Sequence, residues 1–244
     1  MHDARAAGGV PATAPGMIVQ HDDDAPDGLL GDWLRARGTP FELLRRDRGA
    51  PLPRVADALA RPFLVVLGSE AHAHEAHGPL PAWAVQELAL LRACAAADVP
   101  VFGICFGAQL LARALGGRVG TSAHGREVGW LSFESADPAR LPQGPWAHWH
   151  VDAFSAPLGA EVLAARGEDE CRAFVRGRAL AVQFHPEATP AIVDGWMRSA
   201  ACGPVPVEDV DPDALARAGA EAAPAAARAA DALFRFFFET LARV

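Results

Sequence analysis

The sequence predicts an α/β protein with an open, mainly parallel sheet and helices on both faces. In the first half of the chain, short apolar runs alternate with segments of helical periodicity, which is the pattern of a parallel sheet. The runs 63–67 and 101–104 are apolar without interruption, as expected of strands buried on both faces. A length of 244 residues suits one large domain of this kind.

Turn and breaker residues set the bounds of the individual elements. In the first half, strands are predicted at 17–20, 41–44, 63–67 and 101–104, and helices at 29–37, 83–97 and 106–115. In the second half, short apolar runs predict antiparallel or mixed strands at 128–133, 147–150, 162–165, 172–175 and 179–183, followed by a helix at 189–199.

The chain divides into a flexible tail (1–16), a main domain (17–200) and a helical extension (201–244) packed on that domain. Helix starts are predicted at Pro212 and Pro224. Phenylalanines and leucines recur at helical spacing over 233–241, so one face is strongly aromatic. This face is predicted to pack on the domain. The alternative is that it docks a second subunit, for instance in a homodimer.

Composition excludes several classes of function. The formal net charge of −8 argues against nucleic acid or an anionic membrane surface as the main partner. No segment has the length and apolarity of a membrane span, and the first residues lack the pattern of a signal peptide. The chain contains no lysine, which excludes a Schiff-base lysine and a P-loop lysine. It also contains no tyrosine. The four cysteines match no zinc or disulfide pattern and indicate a reducing cytoplasm.

A cysteine nucleophile is predicted at Cys105. Gly103, Cys105 and Gly107 form a Gly-x-Cys-x-Gly pattern between a buried strand and a helix, which is a nucleophile elbow with cysteine in place of serine. The glycines allow a tight turn with close backbone approach. The positive end of the following helix favours the thiolate. Buried structural roles are predicted instead for Cys94, Cys171 and Cys202.

The general base is predicted at His185. His185 and Glu187 lie two positions apart at the end of an apolar strand, so their side chains leave the backbone on the same side. Pro186 between them ends the strand's hydrogen bonding. Cys105, His185 and Glu187 can therefore form a catalytic triad.

These two motifs resemble those of class I glutamine amidotransferases. Gly103-Ile-Cys-Phe-Gly-Ala-Gln109 and Gln183-Phe-His-Pro-Glu187 carry the resemblance, which is close to the stand-alone, GMP-synthase-like subgroup. It extends to Glu127-Val-Gly-Trp130, to Trp149-His-Val-Asp-Ala-Phe154 and to Ile18-Val-Gln-His21, and so covers about residues 17–199 in order. The fold implied is flavodoxin-like.

The resemblance also implies a mechanism. Cys105 would attack the amide of L-glutamine and form a thioester, and the released ammonia would pass to a partner synthase. Backbone N–H groups of Phe106 and of the turn Gly68-Ser69 would form the oxyanion hole. Gln109 and the main chain around Val151 and Asp152 would hold the substrate. No cofactor and no metal is expected.

The turn after the third strand departs from the family pattern. The family has Gly-Gly-Pro where this chain has Gly68-Ser69-Glu70. Serine has less conformational freedom than glycine, and a carboxylate that pointed inward would oppose stabilisation of an oxyanion.

Other polar clusters have weaker interpretations. His72, His74 and His77 could bind a metal but are expected to form a solvated loop. His150 and Asp152 could be a second acid–base pair but are expected to be structural. The run Asp22-Asp-Asp24 is expected to be a solvated turn.

Three functions remain open at this point. The leading one is a glutaminase that feeds ammonia to a separate synthase. The second is a γ-glutamyl hydrolase that uses the same triad on the amide of a larger amine. The third is a catalytically impaired regulatory paralogue.

Overall fold

The computed structural model describes residues 14–199 and 205–244. One sheet has the strand order β2-β1-β3-β4-β11-β10-β8-β5, with β9 paired to β10, and β6 pairs with β7 in a separate ribbon. The strands are β1 (Gly16–Gln20), β2 (Phe41–Arg45), β3 (Leu64–Val66), β4 (Val101–Ile104), β5 (Val119–Thr121), β6 (Glu127–Leu131), β7 (Trp146–His150), β8 (Asp152–Phe154), β9 (Glu161–Arg166), β10 (Glu170–Arg176) and β11 (Ala179–Val182).

The helices account for most of the remaining regular structure. They are α1 (Gly28–Ala36), α2 (Val55–Leu59), α3 (Ala82–Ala96), α4 (Phe106–Ala114), α5 (Pro190–Ser199) and α6 (Pro212–Arg235), with a 3₁₀ turn at Arg46–Arg48 and a π-helical end at Phe236–Ala242. No helix in the described ranges is long and apolar enough to cross a membrane.

The five strands from β2 to β11 run parallel, which confirms the predicted fold class. Their order, 2-1-3-4-11, is the doubly wound arrangement in which ligands bind beyond the carboxyl ends of the strands. The middle of the chain adds antiparallel strands beside β11. The candidate site is therefore expected at the edge where β1, β3, β4 and β11 end.

Both faces of the parallel sheet are buried. Ile18 of β1 packs in a cluster on one face, together with α1 and α6. Its neighbours Met17 and Val19 pack in a second cluster with α3 and α4. Side chains alternate between the faces of a strand, so a continuous apolar run supplies both clusters.

The carboxyl-terminal helix differs in one respect from the prediction. Asp211 caps α6 by accepting from the N–H groups of Asp213 and Ala214, and Pro212 occupies the first turn as predicted. The predicted helix start at Pro224 is wrong, because Pro224 lies inside α6. The alanine-rich stretch around it has high enough helix propensity to continue past the proline.

The aromatic face of the carboxyl-terminal segment is buried in the chain's own core. Phe234, Phe237 and Phe238 are at most 1% exposed. Phe238 stacks on Trp33 of α1 at 5.2 Å between ring centroids. The alternative that this face docks a second subunit is therefore wrong.

The sequence interpretation missed the short elements. Helix α2 and strands β5 and β8 are three to five residues long, too short to show a periodic pattern. The run predicted as a strand at 128–133 ends at Leu131. Cys94, Cys105 and Cys171 are free thiols, whereas Cys202 and most of the predicted tail lie outside the described residues.

Candidate active site

Cys105 lies on a strained elbow between β4 and α4. Its backbone has φ 50° and ψ −110°, a region that side chains rarely occupy. A Cβ on Gly103 would approach Gly107 O to 2.6 Å, and one on Gly107 would approach Val66 O to 2.1 Å. Both glycines of the motif are thus required by close backbone contacts, as the sequence predicts.

The environment of Cys105 differs from that of the other described cysteines. Its sulfur lies at the first turn of α4, where the helix dipole favours negative charge, and Gln183 Nε2 donates to it at 3.6 Å. Burial raises the pKa of Cys94 to about 11 and that of Cys171 to about 12, so these two remain thiols. Only Cys105, among the described cysteines, has surroundings suited to a thiolate nucleophile.

His185 and Glu187 form a buried pair beside the thiol. His185 Nδ1 lies 2.7 Å from Glu187 Oε1, and the two residues are 5% and 2% exposed. The backbone N–H of His185 donates to Ala147 O at 2.8 Å, and the imidazole packs on Trp196. Burial lowers the pKa of His185, but Glu187 and Cys105 outweigh this effect and raise it to about 10. This favours the imidazolium form of His185.

The turn after β3 closes the site on another side. A Cβ on Gly68 would lie 3.0 Å from His185 Cε1 and 3.7 Å from Cys105 Cβ, so Gly68 sits directly against both residues. Ser69 is not among the described non-glycine residues with positive φ, so serine fits this turn without strain. The loss of the family's second glycine therefore has no conformational cost here.

A cavity of about 60 Å³ extends from Cys105 and His185 towards a wall of carboxylates. The wall consists of Asp22, Asp24 and Glu70. Glu70 is exposed at the rim and does not reach into the core, although burial and the two neighbouring aspartates raise its pKa. Within the run predicted to be a solvated turn, Asp22 and Asp24 thus line this cavity, whereas Asp23 is exposed.

A smaller, adjoining cavity of about 30 Å³ lies between Cys105 and the predicted substrate-binding residues. Gln109 Nε2 lies 3.4 Å from Asp152 O and 3.3 Å from Gln183 Oε1, so its amide braces the walls of this cavity. Val151 O accepts from Ser122 N–H. That these residues hold glutamine stays a prediction.

The carboxylate of Asp152 is covered by two histidines of the loop after β3. His72 Nδ1 lies 2.5 Å from Oδ2 and His74 Nε2 lies 3.1 Å from Oδ1. His77 stacks on His72, and one ring nitrogen from each of the three histidines lies within 4.8 Å of the others. The sequence interpretation noticed these histidines but could not connect them to Asp152, which is about eighty positions away.

This histidine group suits polar contacts with Asp152 better than a metal centre. Ala76 N–H donates to His74 Nδ1, which leaves the proton of a neutral ring on Nε2, facing Asp152. A metal ligand needs a free lone pair at that position.

A second acidic–histidine group contains Glu127, His148 and His150. The Glu127 carboxylate is held by Arg172 at 2.5 and 2.8 Å. Burial raises the pKa of Glu127, but hydrogen bonds from the two histidines and Arg172 outweigh burial and hold that pKa well below its usual range. Burial lowers the pKa of His148 to about 4, so this ring is neutral. The Glu127 carboxylate is thus already neutralised by the Arg172 guanidinium.

His21 and Glu87 were missed as candidate site residues. His21 follows β1, so its place at the carboxyl edge of the sheet was a usable signal, but Glu87 lies within an ordinary helix, α3. His21 Nε2 contacts both Glu87 oxygens at 3.1 and 3.2 Å, and His21 Nδ1 lies 3.2 Å from Gly68 O.

Comparison with known proteins gives one consistent family. The family model "Glutamine amidotransferase class-I" matches residues 74–195, half of the chain. Two similar proteins are the glutamine-hydrolysing GMP synthases of Aeropyrum pernix (29% identical, 75% of this chain, 36% of the relative) and Thermomicrobium roseum (34% identical, 51% of this chain, 23% of the relative). The chain thus spans about a quarter to a third of the length of these curated relatives.

Comparison with solved structures points to the same family. A glutamine amidotransferase from Methylobacillus flagellatus is 27% identical and superposes with a TM-score of 0.77. The match covers 93% of this chain and 95% of that one. The likeness therefore extends over nearly the full length of both chains.

Proposed function

Because the chain belongs to the class I glutamine amidotransferase family, we propose that it hydrolyses the side-chain amide of glutamine with Cys105 as the nucleophile. The observation that carries this proposal is the His185–Glu187 pair, buried beside a cysteine on a strained elbow. The family motif supplies the residue types, and the geometry supplies a charged pair ready for attack.

The first half of the reaction forms a thioester. The Cys105 sulfur attacks the amide carbon, and the electrons of the C=O bond move to the oxygen. The N–H groups of Phe106 and Ser69 stabilise this oxyanion. As the oxyanion collapses, the C–N bond breaks, and the protonated His185 gives its proton to the nitrogen, which leaves as ammonia.

The second half returns the free enzyme. The now neutral His185 takes a proton from water as the water oxygen attacks the thioester carbon. Collapse of the second tetrahedral species breaks the C–S bond and releases glutamate. Glu187 holds the imidazole in one orientation and stabilises its cation through both halves.

The two cavities give the substrate an orientation. The amino-acid end of glutamine fits the side of Gln109, Val151 and Asp152, because Asp152 can attract the substrate's ammonium group. The leaving nitrogen then faces the cavity with the carboxylate wall. The loop histidines that cover Asp152 must yield part of their contact when substrate binds.

We further propose that the ammonia is consumed by a partner synthase. The support is that relatives of this chain are glutamine-hydrolysing GMP synthases several times the matched length. A reducing, cytoplasmic compartment suits a nucleophilic thiol, and the three cysteines in the described ranges are unpaired.

A second candidate function is hydrolysis of γ-glutamyl amides of cationic amines. Asp22 and Asp24 line the larger cavity beside Cys105, Glu70 lines both cavities, and these carboxylates suit an amine that carries a second positive charge. Ammonia alone needs no such wall. The same triad and thioester would serve both substrates.

The decisive experiment combines labelling and turnover. A chloroketone analogue of glutamine should add one adduct to the wild type and to Cys171→Ala, and none to Cys105→Ala, as read by intact mass. Absence of the adduct in the wild type would instead support the impaired paralogue. Turnover of glutamine is then compared with that of γ-glutamyl amides of a diamine and of a neutral amine of equal length. A higher kcat/KM for the diamine amide would identify the second function.

A further inference from the structure

The His21–Glu87 pair lies behind the turn that is expected to form half of the oxyanion hole. His21 is 5% exposed and Glu87 is fully buried. The imidazole is enclosed by Trp83 and Phe106, each 5.2 Å away between ring centroids. Burial of a charged pair among apolar side chains costs free energy of folding unless its hydrogen bonds are satisfied. A specific role is therefore expected for this pair.

Both ring nitrogens of His21 face acceptors. Nε2 faces the Glu87 carboxylate, and Nδ1 faces the carbonyl oxygen of Gly68. A neutral imidazole has one nitrogen without a proton, which would face an acceptor with its lone pair. The arrangement is satisfied only by an imidazolium that donates from both nitrogens.

Few groups contribute to the pKa of His21. Burial between α3, α4 and the turn lowers its pKa, but Glu87, Gly68 O and the nearby Asp22 outweigh burial and raise it. Trp83 and Phe106 carry no charge. These contacts favour the imidazolium over the neutral ring.

The hydrogen bond to Gly68 O fixes the direction of the next N–H. In a trans peptide the C=O of Gly68 and the N–H of Ser69 point in opposite directions, so holding the carbonyl holds the N–H. Asp22 Oδ2 also accepts from Glu70 N–H at 2.8 Å and so pins the following peptide. Within the described residues, Ser69 N–H has no hydrogen-bond acceptor of its own, which leaves it free for an oxyanion.

We propose that His21, held by Glu87, is a positioning residue that orients and polarises the Gly68–Ser69 peptide for oxyanion stabilisation. A cation at the carbonyl end of a peptide draws electron density from it and makes its N–H a stronger donor. The imidazolium also places the positive end of this neutral pair directly behind the turn. This inference rests on the proposed function, because it assigns a task to the oxyanion turn.

The first test replaces the ring and keeps its size. His21→Phe should lower kcat for glutamine about ten- to a hundredfold, because loss of an entire oxyanion donor costs about 10²–10³-fold and here the donor is misdirected but present. KM should change less than about twofold. Affinity for a γ-aldehyde analogue of glutamine, which forms a tetrahedral adduct on Cys105, should fall in parallel with kcat/KM.

Alkylation of Cys105 by iodoacetamide separates this role from a structural one. The reagent needs the thiolate but no oxyanion hole, so its rate in His21→Phe should equal that of the wild type. Unchanged kcat and aldehyde affinity in a folded His21→Phe would overturn the proposal. Equal loss of alkylation and turnover would also overturn it, because that result indicates general disruption of the site.

Glu87→Gln gives a second, independent variant. The amide keeps the shape and removes the negative charge, so the pKa of His21 should fall. Its kcat should then decline several-fold as pH rises from about 6 to about 8, relative to the wild type over the same interval. An identical pH profile would contradict the inference.

Asp231→Asn is the matched control for Glu87→Gln. Asp231 accepts from the Trp33 indole at 2.8 Å between α1 and α6, away from Cys105, and the substitution should leave kcat unchanged. Wild-type enzyme that fails to turn over glutamine would refute the proposed function. The role of His21 is tested only by the ratio of kcat in a variant to kcat in the wild type.

Discussion

His185 Nδ1 and Glu187 Oε1 are 2.7 Å apart, and only one residue, a proline, separates them in the chain. β11 ends at Val182, and beyond it an isolated bridge to Ala147 fixes the backbone of His185 before the chain turns at Pro186 and Glu187. The carboxylate thereby holds the ring with its other nitrogen, Nε2, free to face the reacting centre. The orientation of the base depends on a local contact and not on a distant element.

Replacement of the Glu187 carboxylate tests how far its contact with the His185 ring contributes to turnover. Glu187→Gln is expected to lower kcat by about 10²–10⁴-fold, because the amide can stabilise the wrong tautomer and cannot stabilise the cation. Steady-state ammonia release measures this effect. Glu168→Gln, on an exposed turn, serves as the matched control and should retain wild-type activity. A loss below about threefold in Glu187→Gln would contradict the triad.

The pH dependence of stability follows from the raised pKa of His185. Because its folded-state pKa, about 10, exceeds the ordinary 6.5, the protonated ring stabilises the folded state. This contribution is complete below pH 6.5 and is lost as pH rises through about 10. The difference in unfolding free energy between wild type and His185→Gln should therefore shrink from about pH 7 to about pH 10. A difference that stayed constant from about pH 7 to about pH 10 would show that the ring is buried as a neutral group.

Glycine positions around the elbow should differ sharply in their tolerance of a methyl group. Gly107→Ala should destabilise the protein by about 1–3 kcal/mol or more, because its Cβ would collide with backbone. Gly68→Ala should fold but lose at least about tenfold in kcat, since its Cβ would displace the His185 ring. Gly120→Ala, with open space around it, should change neither quantity. Thermal melts and ammonia release test all three variants.

The role of Asp152 should appear in KM. Asp152→Asn is expected to raise KM for glutamine about tenfold or more, with kcat changed less than about threefold, because a charge contact to the substrate's ammonium group is lost. His72→Ala should lower KM for glutamine, because it frees the Asp152 carboxylate for the substrate. Equal loss of kcat in Asp152→Asn would instead indicate a contribution to the chemical step.

The aromatic end of the chain should behave as part of the main core. Phe238→Ala is expected to cost about 3–5 kcal/mol, as for other buried phenylalanines, since Phe238 packs on Phe63 of the sheet and on Trp33 of α1. Chemical denaturation should show one transition with a lower midpoint. Val85→Ala, on the exposed face of α3, is the matched control and should cost under about 0.5 kcal/mol. Two separate transitions in the wild type would mean that the segment folds apart from the core.

The sequence predicted those parts of the site that depend on local pattern. The elbow at Cys105 and the His185–Glu187 pair follow from residue types at short spacing next to a strand end, and geometry agrees with both. The contacts of Asp152 with His72, and of His21 with Glu87, join positions far apart in the chain. Such pairs depend on strand order and helix packing, and one sequence carries no local signal for them.

Strand β11 reaches its place beside β4 only after about seventy-five further residues have been synthesised. Until β11 is inserted, Cys105 has neither its histidine nor the glutamine that donates to its sulfur. A nascent or partly folded chain therefore carries an ordinary thiol at this position. On the proposed function, the thiol gains its histidine and its glutamine neighbour only when the last parallel strand closes the sheet, so insertion of β11 is the activating step.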